Sequence, residues 1–214
     1  MARAKVKAYK EQSFDSLRGL DGISDDQIAE HLKLYGGYVK QVNTLNQDLA
    51  ELLGKGKASG KDPAFAELTR RLGFEYNGMI LHEYYFSNLR RAGEPTPPAA
   101  SGLGRALTDT YGSVEAWKTD FQAMGDMRGI GWVILFQDPA TDRLTNHWIT
   151  LHQDGVPAGF KPLLVMDVWE HAFMRDYKVT DKAKYVEAFF RNIDWPIVER
   201  RLREESAVRP AAAA

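Results

Sequence analysis

Apolar residues recur every three or four positions through the first part of the chain. One such run begins after Ser24, and a second begins at Pro63, with a glycine- and lysine-rich segment at 54–61 between them. This spacing places apolar side chains on one face of an α-helix. Ser24 is a suitable N-cap, and Gln27 is the expected partner in a capping box. We therefore predict a hairpin of two long helices over residues 24–92.

The pattern changes after the prolines at 95–98. Helical spacing returns at 103–111 and 114–127, and three short apolar runs follow at 131–136, 144–151 and 162–166. A turn-forming segment at 138–142 joins the first two runs and favours an antiparallel pair. Two more helical segments, 183–192 and 196–205, complete the pattern.

The predicted fold class is α+β, with the N-terminal long α-helical hairpin followed by a C-terminal α/β domain. That domain covers residues 101–205 and contains a small three-stranded antiparallel sheet. Residues 1–23 are predicted to form an N-terminal extension, and residues 206–214 a disordered tail.

Composition removes several classes of function. The 214 residues include no cysteine, which excludes disulfides, thiolate metal sites and cysteine nucleophiles. A net charge of −1 gives no basic field for nucleic acid. No apolar run is long enough to span a membrane. The polar N-terminus does not resemble a secretory signal, so the cytoplasm is the expected location.

Histidines and one aspartate carry the candidate chemistry. Asp167 follows the apolar run 163–166, and His171 lies four residues further on, where one helical turn would point both side chains the same way. A carboxylate and an imidazole can together bind a divalent or trivalent metal. Alternatively, the pair is an N-cap aspartate and a core histidine. His31 and His82 lie in the two long helices, and facing helices commonly build metal sites.

Other polar residues are less specific. His152 and Gln153 end the second strand run, where either could donate a hydrogen bond to a site or simply belong to a polar loop. His147 has no clear partner and is expected to be structural. The glycines at 129 and 131 precede a strand, so they do not form a phosphate loop.

The segment Asp-Val-Trp-Glu-His-Ala at 167–172 resembles the signature of the iron/manganese superoxide dismutases. The resemblance extends from about residue 24 to 203. It includes Tyr38-Val39 in the first helix, His82 to Phe86 in the second, Gly129 to Trp132 before the sheet, and Asn192 to Trp195 near the end.

The resemblance implies disproportionation of superoxide to O₂ and hydrogen peroxide, an antioxidant activity. It implies one Fe or Mn ion per chain with a bound solvent. The ligands that match the family are His31, His82, Asp167 and His171.

Further roles follow from the same resemblance. Tyr38 matches the active-site tyrosine, and Trp132 and Trp169 match the aromatic residues that line the site. Gln153 or His152 would bond to the bound solvent. Glu170 matches a glutamate that crosses the interface of a homodimer, which in some members pairs into a dimer of dimers.

The sequence also departs from the family. His31 precedes Tyr38 by seven residues instead of eight, which places Glu30 at the usual position, although His31 remains the expected ligand. Leu34 and Met174 replace a histidine and a tyrosine that meet at the family's interface. These changes motivate an alternative, a non-enzymatic metal-binding or interaction protein with the same fold.

The metal is left open. Gly78 stands where iron forms carry a glutamine, which gives a mild preference for manganese or for either metal. Lys33 and Lys182 are candidates for attracting the anionic substrate.

Overall fold

Two long helices pack against each other in the N-terminal part of the computed structural model, which describes residues 6–204. They are α1 (Asp25–Gly54) and α2 (Pro63–Ser87). Tyr38 of α1 meets Phe74, whereas His31, earlier in α1, meets Phe86. The helices are therefore antiparallel, and the predicted hairpin is confirmed. The predicted tail at 206–214 lies outside the described residues.

The start of α1 corrects one detail of the prediction. The Ser24 hydroxyl accepts a hydrogen bond from the Gln27 backbone N–H at 3.0 Å, so Ser24 is the N-cap. The Gln27 side chain does not close a capping box, because it bonds to the backbone of the loop after the sheet. The Ser24 N–H and hydroxyl are instead both donated to Asp176, at 2.7 and 2.6 Å.

The C-terminal part is the expected mixture of helices and a three-stranded antiparallel sheet. The sheet has the order β2-β1-β3. Its strands are β1 (Gly131–Gln137), β2 (Leu144–Thr150) and β3 (Lys161–Asp167). The helices are α3 (Gly102–Tyr111), α4 (Val114–Gly125), α5 (Lys182–Arg191) and α6 (Trp195–Arg203). Short 3₁₀ turns lie at Glu170–Ala172 and Val179–Asp181.

Helix α2 ends about four residues before its predicted end. The Asn88 side chain donates to the Val165 carbonyl of β3, and the Arg90 N–H donates to the Asn192 carbonyl. Because these groups bond to other elements, the chain leaves helical geometry there. Local periodicity contains no information about such distant partners.

The register of the sheet brings the polar residues to one edge. Trp132 lies at the start of β1, opposite Asp167 at the end of β3. His152 is the second residue after β2, the other neighbour of β1. β1 is buried over its first six residues, so this edge lies beneath covering helices. Within residues 6–204, no helix is both long and apolar enough to cross a membrane.

Replacing Ser24 with Ala tests the N-terminal cap of α1. The change removes the cap and a hydrogen bond to Asp176, so we expect the free energy of unfolding to fall by about 1 kcal/mol. Urea unfolding followed by circular dichroism measures this change. Ser16→Ala, at an exposed serine, is the matched control. Equal unfolding free energies for the two variants would contradict the assigned cap.

Candidate metal centre

Four side chains from four segments converge beneath the sheet edge. His31 comes from α1, His82 from α2, Asp167 from the end of β3 and His171 from the first 3₁₀ turn. Their potential ligand atoms all lie within 4.8 Å of one another. The Nε2 atoms of His31 and His171 are each 3.1 Å from Asp167 Oδ2, and that of His82 is 3.6 Å away.

The cluster suits a metal ion better than a set of ordinary hydrogen bonds. His31, His82 and Asp167 are at most 1% exposed. His82 Nε2 is buried and has no hydrogen-bond partner among the described residues, a costly arrangement for a polar atom. Three imidazole nitrogens and one carboxylate oxygen form a donor set suited to iron or manganese. Glu30 is not part of the cluster, since it pairs with Lys33 at the surface.

Burial and the neighbouring histidines keep His31, His82 and Asp167 in the protonation states that metal binding needs. Burial lowers the pKa of His31 and, more strongly, that of His82, so both rings are neutral at pH 7. Burial alone would raise the pKa of Asp167, but His171 and His31 bring it well below its usual range. A metal would therefore displace few protons on binding.

Hydrogen bonds and ring contacts orient the ligands. The Nδ1–H of His82 donates to the Gly78 carbonyl at 2.5 Å, which leaves the Nε2 lone pair directed to the cluster. Asp167 Oδ1 accepts the Trp169 N–H at 2.8 Å, so Oδ2 remains for the metal. The His31 ring is held by packing, with the rings of Tyr85 and Phe86 each 5.0 Å away.

Gln27 fixes the loop that carries His171. Its Nε2 donates to the His171 carbonyl at 2.7 Å, and its Oε1 accepts the Arg175 N–H at 3.0 Å. The Gln27 side chain is 1% exposed. This residue of α1 therefore positions a ligand that lies 144 residues away in the sequence.

Comparison with known proteins identifies the family of this chain. Residues 99–201 match the model of the C-terminal domain of iron/manganese superoxide dismutases. An iron superoxide dismutase of Cupriavidus metallidurans is 37% identical over 82% of this chain and 86% of its own length. The chain belongs to the iron/manganese superoxide dismutase family.

Other relatives carry either metal in their names. An iron superoxide dismutase of Aquifex pyrophilus is 33% identical, over 87% of each chain. A manganese superoxide dismutase of Mycolicibacterium fortuitum is 34% identical, over 80% of each chain. Similarity alone therefore leaves both iron and manganese open for this member of the family.

Tyr38, His152 and Trp132 form a hydrogen-bonded chain next to the cluster. His152 Nδ1 is 3.0 Å from Trp132 Nε1, and His152 Nε2 is 2.7 Å from the Tyr38 hydroxyl. An indole nitrogen can only donate, so His152 Nδ1 is the acceptor. Burial lowers the pKa of His152 to about 4, so the neutral ring carries its single proton on Nε2. His152 therefore donates to Tyr38, and the Tyr38 hydroxyl proton is directed elsewhere.

Of the two residues that the sequence left as alternatives, the structure brings His152 to the site. Gln153 forms no hydrogen bond with Tyr38 or Trp132, and its Oε1 is buried without a partner among the described residues. Trp169 stacks on His152 at 4.7 Å and on His171 at 5.6 Å between ring centres. Trp169 therefore packs against one of the four clustered side chains and against the neighbouring His152.

Phe74 was not predicted from the sequence to contribute to the site, and neither was the packing of Gly78 against Tyr38. The Phe74 ring lies 4.4 Å from that of His152 and 6.2 Å from that of Tyr38. Gly78 leaves room for Tyr38, because a Cβ there would lie 2.7 Å from the tyrosine ring. Their spacing in the sequence could have indicated both, because Phe74 and Gly78 precede His82 by eight and four residues and so share its face of the helix.

His152→Gln tests the buried histidine through pH. The folded-state pKa lies near 4 and the unfolded one near 6.5, so between these values the unfolded chain binds the extra proton. The wild-type free energy of unfolding should therefore fall as the pH drops through this window. The fall should exceed that of H152Q by up to about 1.4 kcal/mol for each pH unit. Urea unfolding of both metal-free proteins at pH 7 and 5 measures it. Identical pH dependences would refute the assignment.

Proposed function

We propose that this protein is a superoxide dismutase that uses one Fe or Mn ion per chain. The observation that carries the proposal is the convergence of three imidazole Nε2 atoms on Asp167 Oδ2 inside a buried pocket. Four ligand side chains at one point, in a chain of this family, support one mononuclear centre.

The reaction converts two superoxide ions and two protons into O₂ and hydrogen peroxide. The metal, when bound, supplies reversible one-electron chemistry between its +3 and +2 states. Asp167 and the neutral histidines hold it, and the aromatic rings of Trp132 and Trp169 limit the entry of water. Tyr38 is partly exposed, and we assign proton transfer to it.

Proton delivery falls to Tyr38 because of its neighbour. Since the Nε2–H of His152 donates to the Tyr38 oxygen, the tyrosine can direct its own proton to a reduced dioxygen species. Burial raises the pKa of Tyr38, so the hydroxyl keeps its proton at neutral pH. Tyr38 is thus a hydrogen-bond donor that can be reprotonated from the surface.

Asp167→Ala should abolish metal binding and superoxide consumption. Loss of a residue that only hydrogen-bonds to a metal ligand lowers metal affinity by roughly 10–100-fold. Loss of the ligand Asp167 itself should lower the affinity by more than this. Metal analysis and a superoxide-consumption assay on the same samples measure both effects. Asp109→Ala, at an exposed aspartate of α3, is the control and should behave as wild type.

The same assay separates the enzyme from the non-enzymatic alternative. Near one Fe or Mn per wild-type chain, with rapid superoxide consumption, supports the enzyme. A filled site that stays inactive after reloading with the other metal would favour a metal-binding or interaction protein. Activity retained by metal-loaded D167A would overturn the assigned ligands.

We further infer a homodimer, which could pair into a dimer of dimers, with Glu170 at its interface. Glu170 is exposed and lines a cleft of about 710 Å³ together with Phe173 and Lys182. Met127 and Val179 line the same cleft and are 45% and 55% exposed. Such an apolar surface next to a buried centre is typical of a protein interface. Met174, which is 47% exposed and follows Phe173, extends it.

Val179→Lys tests the interface. A charge among these apolar side chains should weaken dimer association by tenfold or more, which corresponds to about 1.4 kcal/mol. Analytical ultracentrifugation over a concentration series measures the dissociation constant. Leu53→Lys alters a residue that is 66% exposed at the end of α1 and is the control. A monomeric wild type, or equal weakening by both changes, would refute this interface.

The cytoplasmic location stays a prediction from the sequence.

A further inference from the structure

Tyr38 and Phe74 form one side of the candidate centre that reaches the surface. Both are partly exposed, whereas His82, Asp167 and His152 behind them are fully buried. A small molecule can therefore approach the cluster over these two rings. Charges placed next to Phe74 and Tyr38 act on whatever takes this route.

Two opposite charges occupy that position. The Arg71 guanidinium lies 5.1 Å from the centre of the Phe74 ring, and its Nε donates to Glu75 Oε1 at 2.7 Å. The side chain of Arg71 is 55% exposed and that of Glu75 only 5%. The pair therefore has its positive end toward solvent and its negative end toward the protein.

Both charges lie close to Tyr38. The Phe74 ring beneath the Arg71 guanidinium is 6.2 Å from the Tyr38 ring. Glu75 lies three residues before Gly78, which packs against Tyr38, and therefore shares that face of α2. A buried negative charge disfavours an anion beside it, and a positive charge has the opposite effect. The carboxylates of Asp167 and Glu75 thus oppose an entering anion, and Arg71 offsets them.

We propose that Arg71 admits small anions to the centre by offsetting the buried Glu75 carboxylate and presenting positive charge beside Phe74. Arg71 is then a residue that attracts the substrate, and Glu75 counteracts it. For superoxide the inference rests on the proposed function, whereas for other anions it requires only a metal in the centre. An exposed ion pair on a helix commonly has little effect, but here one partner is buried against the entry route.

Azide provides a binding test that does not depend on turnover. It is a small anion that ligates Fe(III) and Mn(III) and changes their visible absorption. On the metal-loaded protein, Arg71→Gln should weaken azide binding about threefold, and Glu75→Gln should strengthen it by a similar factor. The double variant should return close to wild type. Arg70→Gln removes the neighbouring exposed arginine of α2 and should change affinity less than R71Q.

Ionic strength supplies a second measurement. The kcat/KM of the wild type for superoxide should fall as salt is added, and R71Q should lose most of that dependence, because screening acts on charges at the entry route. Equal effects of R71Q and R70Q would overturn the inference, as would weaker azide binding in E75Q. If R71Q folds poorly, the direction of the change in E75Q still decides.

The outcomes also separate this inference from the proposed enzyme. Azide affinities that follow the pattern in a protein without superoxide consumption would sustain the role of Arg71 and overturn the proposed activity. Normal superoxide consumption, with azide affinity and salt dependence unchanged in R71Q, would overturn the role of Arg71 alone.

Discussion

One buried carboxylate oxygen, Asp167 Oδ2, imposes the main constraint on this structure. Three imidazole nitrogens surround this fully buried oxygen, and a buried charge is destabilising unless it is paired and hydrogen-bonded. The fold provides part of the compensation through the Trp169 N–H, which donates to Oδ1. A cation at the centre of the cluster would provide the rest, and it would give His82 Nε2 the partner that this atom lacks within residues 6–204.

Much of this arrangement could be predicted from the sequence, because it follows from local patterns. The apolar run of β3 placed Asp167 at a strand end, and helical periodicity placed His31 and His82 on buried faces. The Gln27 side chain could not be placed in this way, since its partners lie in the His171 loop and only the folded chain brings them together. The early end of α2 has the same cause, because its hydrogen-bonding groups are taken by distant strands and loops.

The choice between His152 and Gln153 was also beyond a sequence pattern, since either side chain can bond to a polar site. The structure distinguishes them by geometry, because only His152 lies between the Trp132 indole and the Tyr38 hydroxyl. The consequence is chemical. An amide could take either orientation, whereas the indole donor fixes one tautomer of the imidazole. The direction of the hydrogen bond to Tyr38 is therefore determined by Trp132.

Side-chain hydrogen bonds fix the register between the two long helices that carry His31 and His82. Tyr35 lies one turn after His31 and is buried. Its hydroxyl donates to Oε1 of Glu83 at 2.8 Å, and Glu83 directly follows His82 in the chain. Gln12 bonds to both, through its N–H to the Tyr35 oxygen and through its side chain to Glu83. A slide of α1 along α2 by one residue would break these bonds. The N-terminal segment thus helps to hold the two helix-borne ligands in their relative positions.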